Sequence, residues 1–294
     1  MFWVVFTLIA AAAQTARNAM QRELTAKVGT VGATHVRFLF GFPFAVVFLI
    51  GVLAVTGEPL PHPDLVFWPW IGLGFAAQIA ATALMLAAMN DRSFVVTIAY
   101  IKTEPVQVAL FGFLLLGDKI TPLLAIAILI ATSGVVVMSL KPGAAQVGGV
   151  RPTVLGLVSG GMFGLSAIGY RGAILSLHLG NYVLAATYTL MVGLVLQSAL
   201  LSIYLALRDP GVLKAIFRVW RPSLFAGFMG ALASQFWFLA FAIATAASVR
   251  TLALVEVLFA QLVSAFVFGQ KTSPREAAGI ALVVIGVTVL VWAH

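Results

Sequence analysis

The sequence predicts an all-α integral membrane protein of ten transmembrane helices, arranged as two inverted five-helix repeats. Composition is the first observation behind this: 62% of the residues are hydrophobic and 9% charged, whereas soluble domains run at roughly 45–50% apolar and ~25% charged. The second is run length. The apolar stretches are continuous over about twenty residues, enough for a helix rising 1.5 Å per residue to cross ~30 Å of hydrocarbon. Strands of a membrane barrel would alternate in polarity over roughly ten residues instead. The third is that the chain resembles itself when shifted by half its length.

Punctuation by charge, Pro and Gly divides the chain into spans 2–20, 31–55, 65–89, 93–116, 121–140, 154–175, 182–207, 224–247, 249–268 and 275–292. The opening run Phe2 to Ala13 has no basic segment before it and leads into further spans, so it reads as the first helix and not as a cleaved signal. The run Leu224 to Phe268 is too long for one span and suits two.

A gapless shift of 152 positions, the separation of Glu104 and Glu256, also superposes Gly117 on Gly269, Lys119 on Lys271, Pro122 on Pro274 and Gly134-Val135 on Gly286-Val287. The same shift lays the turn Asn90-Asp91-Arg92-Ser93 over Ala242-Ile243-Ala244-Thr245, which places the hidden break of the long run near Ala244 to Ser248. The pattern predicts a first five-helix repeat over 1–142, a connecting loop over 143–151 and a second repeat over 152–294. Five is odd, so the second copy enters the membrane from the opposite side, the inverted construction that secondary transporters use to open one site alternately to either face.

The net charge of +8 would suggest nucleic acid in a soluble protein. Here the basic residues fall mostly between spans, where they orient helices, and nucleic acid is not an expected partner. Alternate loops hold Arg17, Arg22, Lys27, Arg92, Lys141, Arg151, Arg208, Lys214, Arg218, Arg221, Lys271 and Arg275, against Lys119, Arg171 and Arg250 on the other face. The positive-inside rule then puts both termini outside the cytoplasm, in a multi-pass protein of a bacterial-type inner (plasma) membrane. The chain has no cysteine, which removes thiolate metal sites and cysteine nucleophiles. His35, His62, His178 and His294 lack ligand spacing, so no metal is assigned. No P-loop, GxSxG or HExxH is present, so no cofactor and no enzymatic activity are expected.

Late in each repeat the residues carry a recognisable pattern. The first reads Thr103-Glu104-Pro105, then Leu116-Gly117-Asp118-Lys119 with Pro122, then Ser133-Gly134-Val135; the second reads Val255-Glu256-Val257, then Phe268-Gly269-Gln270-Lys271 with Pro274, then Ile285-Gly286-Val287. This resembles the EamA-type transporters of the drug/metabolite transporter superfamily, which are typically ten-helix proteins made of two EamA units. Val36-Arg37-Phe38 and Tyr170-Arg171 are similar to that family's second and sixth helices. Val257 and Gln270 depart from the pattern, where Pro and an acid are usual, so the halves need not work identically. Termini outside the cytoplasm also differ from what the resemblance implies.

An ionisable group within a span costs ~2.5–3.5 kcal/mol or more, so it calls for a partner, a wet cavity or a function. Arg37, Lys102, Glu104 and Glu256 are such groups. Lys102 and Glu104, two apart on one helix, point about 200° from each other and need partners from other helices. Pro105 would free the carbonyl near Ile101 and bend the helix beside the Glu104 carboxylate, so Glu104 is either a site residue or a brace. Glu256 lies among Leu, Val, Phe and Ala. It is a candidate proton carrier, as is Glu104, or else half of a buried ion pair with Arg37 or Lys102. Arg37 and Lys102 could each contact an anionic substrate group or form an ion pair. Tyr100, one turn before Glu104, with Gln78, Tyr188, Gln235 and Trp237, would add polar surface to a substrate cavity, although each alone also suits packing. Gly156, Gly160 and Gly164 predict close helix packing.

Together these features predict a secondary transporter, an exporter of a small organic metabolite such as an amino acid or related zwitterion, with protons as a candidate coupling ion and the lipid bilayer as its surroundings. The competing reading is a flippase for a lipid-linked or amphiphilic head group.

Overall fold

The computed structural model describes residues 1–91, 100–139, 151–259 and 273–292, and the regular elements among them are all helical. Arg92, Ser93, Lys141, Gly269, Gln270, Lys271 and His294, and the connecting loop as far as residue 150, lie outside the described residues.

The first helix, α1 (Phe2–Leu39), does not stop near Met20, where the sequence suggested a loop. It continues to Val28 and turns at Gly29, whose φ of 68° and ψ of 178° lie in a region essentially closed to side-chain-bearing residues. Arg17, Arg22 and Lys27 therefore sit on a helix and not in a loop. Helix α2 (Phe42–Thr56) starts with Pro43 in its first turn, where a missing amide hydrogen costs nothing. Its Val47, Ile50 and Val55 face outward, up to 88% exposed, which suits a hydrocarbon surround and not water. There follow α3 (Phe67–Asp91), α4 (Glu104–Phe111) running into a π turn at Gly112–Leu116, α5 (Pro122–Ser139) and α6 (Arg151–Ser176). The chain continues with α7 (Tyr182–Arg208), the short α8 (Pro210–Arg218), α9 (Trp220–Ile243), α10 (Ala246–Leu252) with a 3-10 turn at Ala253–Val255, and α11 (Pro274–Trp292).

The long apolar run after Leu224 breaks between Ile243 and Ala246, within the stretch to which the internal repeat pointed. Thr245 caps the new helix, its hydroxyl accepting from the Ser248 amide at 3.3 Å. Among the described residues six helical stretches are long and apolar enough to cross a membrane: Leu24–Thr56, Phe67–Met85, Thr153–Ser176, Tyr182–Arg208, Trp220–Ile243 and Pro274–Trp292. Three shorter apolar helices, Phe2–Arg17, Glu104–Leu116 and Pro122–Met138, lie among the other described residues. The expected ninth span is described only as far as Phe259.

The chain divides into two units, Met1–Ala76 with Gly169–Ile243, and Ala77–Ile168 with Ala244–His294. Each draws on both halves of the sequence. In the first, α1 packs along α9 and α7 contacts both α2 and α9. Asn181 caps α7, its side-chain oxygen accepting from the Val183 and Leu184 amides while its amide donates to Glu58 at 2.9 Å.

In the second unit, α5 lies along α11. A β-carbon on Gly134 would stand 2.7 Å from the Gly279 carbonyl oxygen, and one on Gly286 would stand 2.9 Å from that of Ala127. These two close approaches exchange under the 152-residue shift, since 134 maps to 286 and 127 to 279. Around them Ala131, Val135, Leu254 and Val283 form a buried cluster.

Of the three basic residues assigned to the sparsely charged face, two lie inside helices. Arg171 is within α6, its guanidinium donating to the Phe241 carbonyl at 2.9 Å, and Arg250 is within α10. The loop reading counted charge without allowing that an arginine near a span end can turn inward to a carbonyl or carboxylate.

Candidate functional site

Two carboxylates and two cations meet in the second unit, and both carboxylates follow a break in a helix. The expected bend at Pro105 is a full interruption: Lys102 and Thr103 form a turn, the Thr103 hydroxyl donates to the Tyr100 carbonyl at 2.7 Å, and α4 starts afresh at Glu104. Pro105 occupies the first turn of α4, where its fixed φ favours helix initiation and no amide is lost. A carboxylate at that position also meets the positive end of the helix dipole. In the second half of the chain the 3-10 turn at Ala253–Val255 tightens the backbone immediately before Glu256. Each acid thus stands where a helix restarts, the kind of discontinuity that binding sites in transporters exploit.

The pairing is crossed. Lys102 Nζ donates to Glu256 Oε2 at 2.9 Å. Arg250 Nε stands 3.1 Å from Glu104 Oε1, a charge contact whose atoms are not aligned as a hydrogen bond. The four side chains are between 10% and 18% exposed. Attraction at these distances is far stronger than in water, yet each charge also bears the cost of leaving water, so the pairs are strongly interdependent and not simply a source of stability.

The glycines of α6 bring the interrupted segment close. Gly156 faces the Tyr100 ring, Gly160 faces the Ile101 carbonyl, and Gly164 faces Val108 and Phe111. The expectation that Tyr100 shares a face with Glu104 assumed an unbroken turn between them. With Lys102 and Thr103 out of the helix that spacing rule does not apply, and Tyr100 lies against Gly156. Gln78 is half-buried on α3 in the same unit, its carbonyl accepting from Thr82.

The remaining candidates belong to the first unit. Arg37 is half-buried, with its guanidinium 5.2 Å from the Phe38 ring centroid and its stem beside Gly230. Tyr188 is buried against Phe67. Gln235 donates to the Thr187 hydroxyl at 2.7 Å, and Trp237 donates to Gln14 at 3.2 Å.

Sequence reasoning missed Arg250. The signal was present: between Leu224 and Phe268, Arg250 and Glu256 are the only charged residues. An isolated cation in such a run calls for a buried partner as strongly as an isolated acid does.

With this geometry in hand, comparison with known families is informative: the model of the EamA-like transporter family matches residues 1–140. Over that stretch, 140 of the 294 residues, the chain is similar to the family. A family of transporters agrees with the long apolar helices of this chain. Similarity also extends to solved structures. One crystal structure of a protein, 14% identical, covers 99% of this chain and 96% of its own with a TM-score of 0.74, a likeness of fold. No curated protein matches the sequence.

Proposed function

We propose that the chain is a secondary transporter that exports a small zwitterionic metabolite, an amino acid or a close relative, by alternating access. The observation that carries this reading is the crossed set of Lys102–Glu256 and Arg250–Glu104 pairs at two helix restarts. A zwitterion brings one carboxylate and one ammonium group. It can take the place of one acid at a cation and one cation at an acid, so no charge is left unpaired when the native pairs part. An uncharged solute offers no such exchange, and a simple anion or cation would strand one residue, at a cost of about 3–5 kcal/mol.

In this reading Glu104 or Glu256 also takes up a proton at the step in which the site is empty of substrate and its cation has moved away, coupling export to the proton gradient. The self-similarity of the halves 1–142 and 152–294, joined by 143–151, supports an inverted duplication. So does the exchange of the Gly134–Gly279 and Ala127–Gly286 approaches under the same shift. We place the protein in a bacterial-type inner membrane with both termini outside the cytoplasm, on the charge bias that survives after Arg17, Arg22, Lys27, Arg171 and Arg250 are all removed from the count.

Ligand-induced thermal stabilisation of the purified protein in detergent tests the substrate class. A ligand bound at 100 times its Kd adds about 2.7 kcal/mol to the native state. Zwitterionic amino acids should raise the melting temperature of the wild type, and the rise should vanish in Glu104→Gln and Glu256→Gln. Stabilisation that persists unchanged in both variants would remove the carboxylates from the site. Stabilisation by amphiphilic head groups alone would favour the flippase reading.

A further inference from the structure

Helix α8 joins the end of one helix long and apolar enough to cross a membrane, Tyr182–Arg208, to the start of another, Trp220–Ile243, so it stands where a chain crossing twice would leave and re-enter the bilayer. Its initiation is local. Asp209 caps it, accepting from the Val212 amide at 3.3 Å, and Pro210 fills the first turn. Its apolar side is already used within the protein: buried Ile216, with Val212, Leu213 and Ala215, packs on Leu24, Val28, Leu205 and Ala226.

The opposite side is basic and aromatic. Lys214, Phe217 and Arg218 are spaced as neighbours on one helix face, and all three are exposed, as are Arg208 before them and Trp220 and Arg221 after them. Phe217 is 58% and Trp220 51% exposed, and the Arg221 guanidinium lies 5.5 Å from the Trp220 ring centroid. Among the described residues none of the four cations takes part in an ion pair. Solvation alone accounts for the cations but not for two large aromatic rings that stay more than half exposed, Phe217 even with one side toward Phe40, their ring centroids 6.1 Å apart. Rings that sit at the head-group depth beside cations are the usual composition of a membrane interface.

We infer that the outer face of α8, with Arg208, Lys214, Arg218 and Arg221 around Phe217 and Trp220, binds the head groups of anionic phospholipids. The cations would take the phosphate charge and the rings the glycerol and upper acyl region. Because the apolar side of α8 is packed on its own unit, the helix would hold lipid at the protein's edge and would not insert as a free amphipathic anchor. This inference requires that α7 and α9 cross the membrane and is independent of what is transported.

Native mass spectrometry of the detergent-purified protein, titrated with phosphatidylglycerol or with phosphatidylcholine of the same acyl chains, tests the site. Wild type should hold phosphatidylglycerol several-fold more tightly. Lys214→Gln combined with Arg218→Gln should weaken that binding by about fivefold for each cation removed. Lys119→Gln combined with Arg151→Gln, an equal change in net charge at other exposed positions, should leave it unchanged. Circular dichroism melts of both double variants should match wild type, since exposed substitutions seldom disturb the fold. Equal losses in both double variants, or none in the first, would overturn the inference. So would competition by inorganic phosphate as effective as the lipid, because it would make the site one for a free anion.

Discussion

Glu104, in the first half of the chain, is paired with Arg250 from the second, their charged atoms 3.1 Å apart. The equivalent acid of the second half, Glu256, is in turn held by Lys102 of the first. Each half therefore supplies the cation for the other half's carboxylate, and any rearrangement that separates residues 102–104 from residues 250–256 must replace both pairs together.

Single neutralisation within a pair should be more damaging than double neutralisation. Arg250→Gln removes the cation that stands 3.1 Å from Glu104, and we expect a loss of about 3–5 kcal/mol. Adding Glu104→Gln should return much of it. Denaturant melts of the two single variants and the double variant, analysed as a thermodynamic cycle, read the coupling directly; strict additivity would mean that the pair is a proximity without energetic weight.

Close packing of α5 on α11 makes a second prediction. Gly134→Ala and Gly286→Ala each place a β-carbon within 3 Å of backbone atoms on the facing helix. Each should cost about 1–3 kcal/mol by overpacking. Gly51→Ala, within α2 where a β-carbon meets nothing within 4 Å, should be neutral or stabilise by up to ~1 kcal/mol through helix propensity. Melting temperatures of the three variants in one detergent give the comparison.

The turn in α1 depends on one residue. Gly29→Ala must either hold a β-carbon at φ 68° and ψ 178°, at a cost of about 1–3 kcal/mol, or straighten the helix. Limited proteolysis and thermal melts should show a less stable protein. An unchanged melting temperature would indicate that the turn is not required by the fold.

Substitution at Lys102 should separate substrate chemistry from folding. Lys102→Arg keeps the charge opposite Glu256 and should retain ligand-induced stabilisation, whereas Lys102→Gln should abolish it. Equal behaviour of the two would place the zwitterion's carboxylate elsewhere.

Much of the architecture was legible because the bilayer simplifies the code: an apolar run of sufficient length has few structures open to it. The break near Ala244 was legible only through the internal shift, since Ala, Ile and Thr carry no turn signal of their own. Gly29 was not recognised as the turn after the first helix, because the charges of Arg22 and Lys27 drew the boundary earlier while their helix continued. Pro105 correctly marked an irregular backbone, but the extent of the interruption depended on Thr103 bonding back to Tyr100, a local choice the sequence does not announce. For the site, Lys102, Glu104 and Glu256 stood out by the cost of burying charge. Arg250 did not, because its position at the edge of a span resembled a loop residue, and only tertiary contact reveals that it turns toward Glu104.

Exchange of radiolabelled zwitterionic amino acids across proteoliposomes, comparing wild type with a variant in which Lys102, Glu104, Arg250 and Glu256 are all made neutral, tests the central claim most directly. The account predicts uptake by wild type against an internal pool of the same amino acid, and loss of at least nine-tenths of it, on the order of a tenfold change or ~1.4 kcal/mol, in a variant that still folds. Equal exchange by both proteins would contradict it.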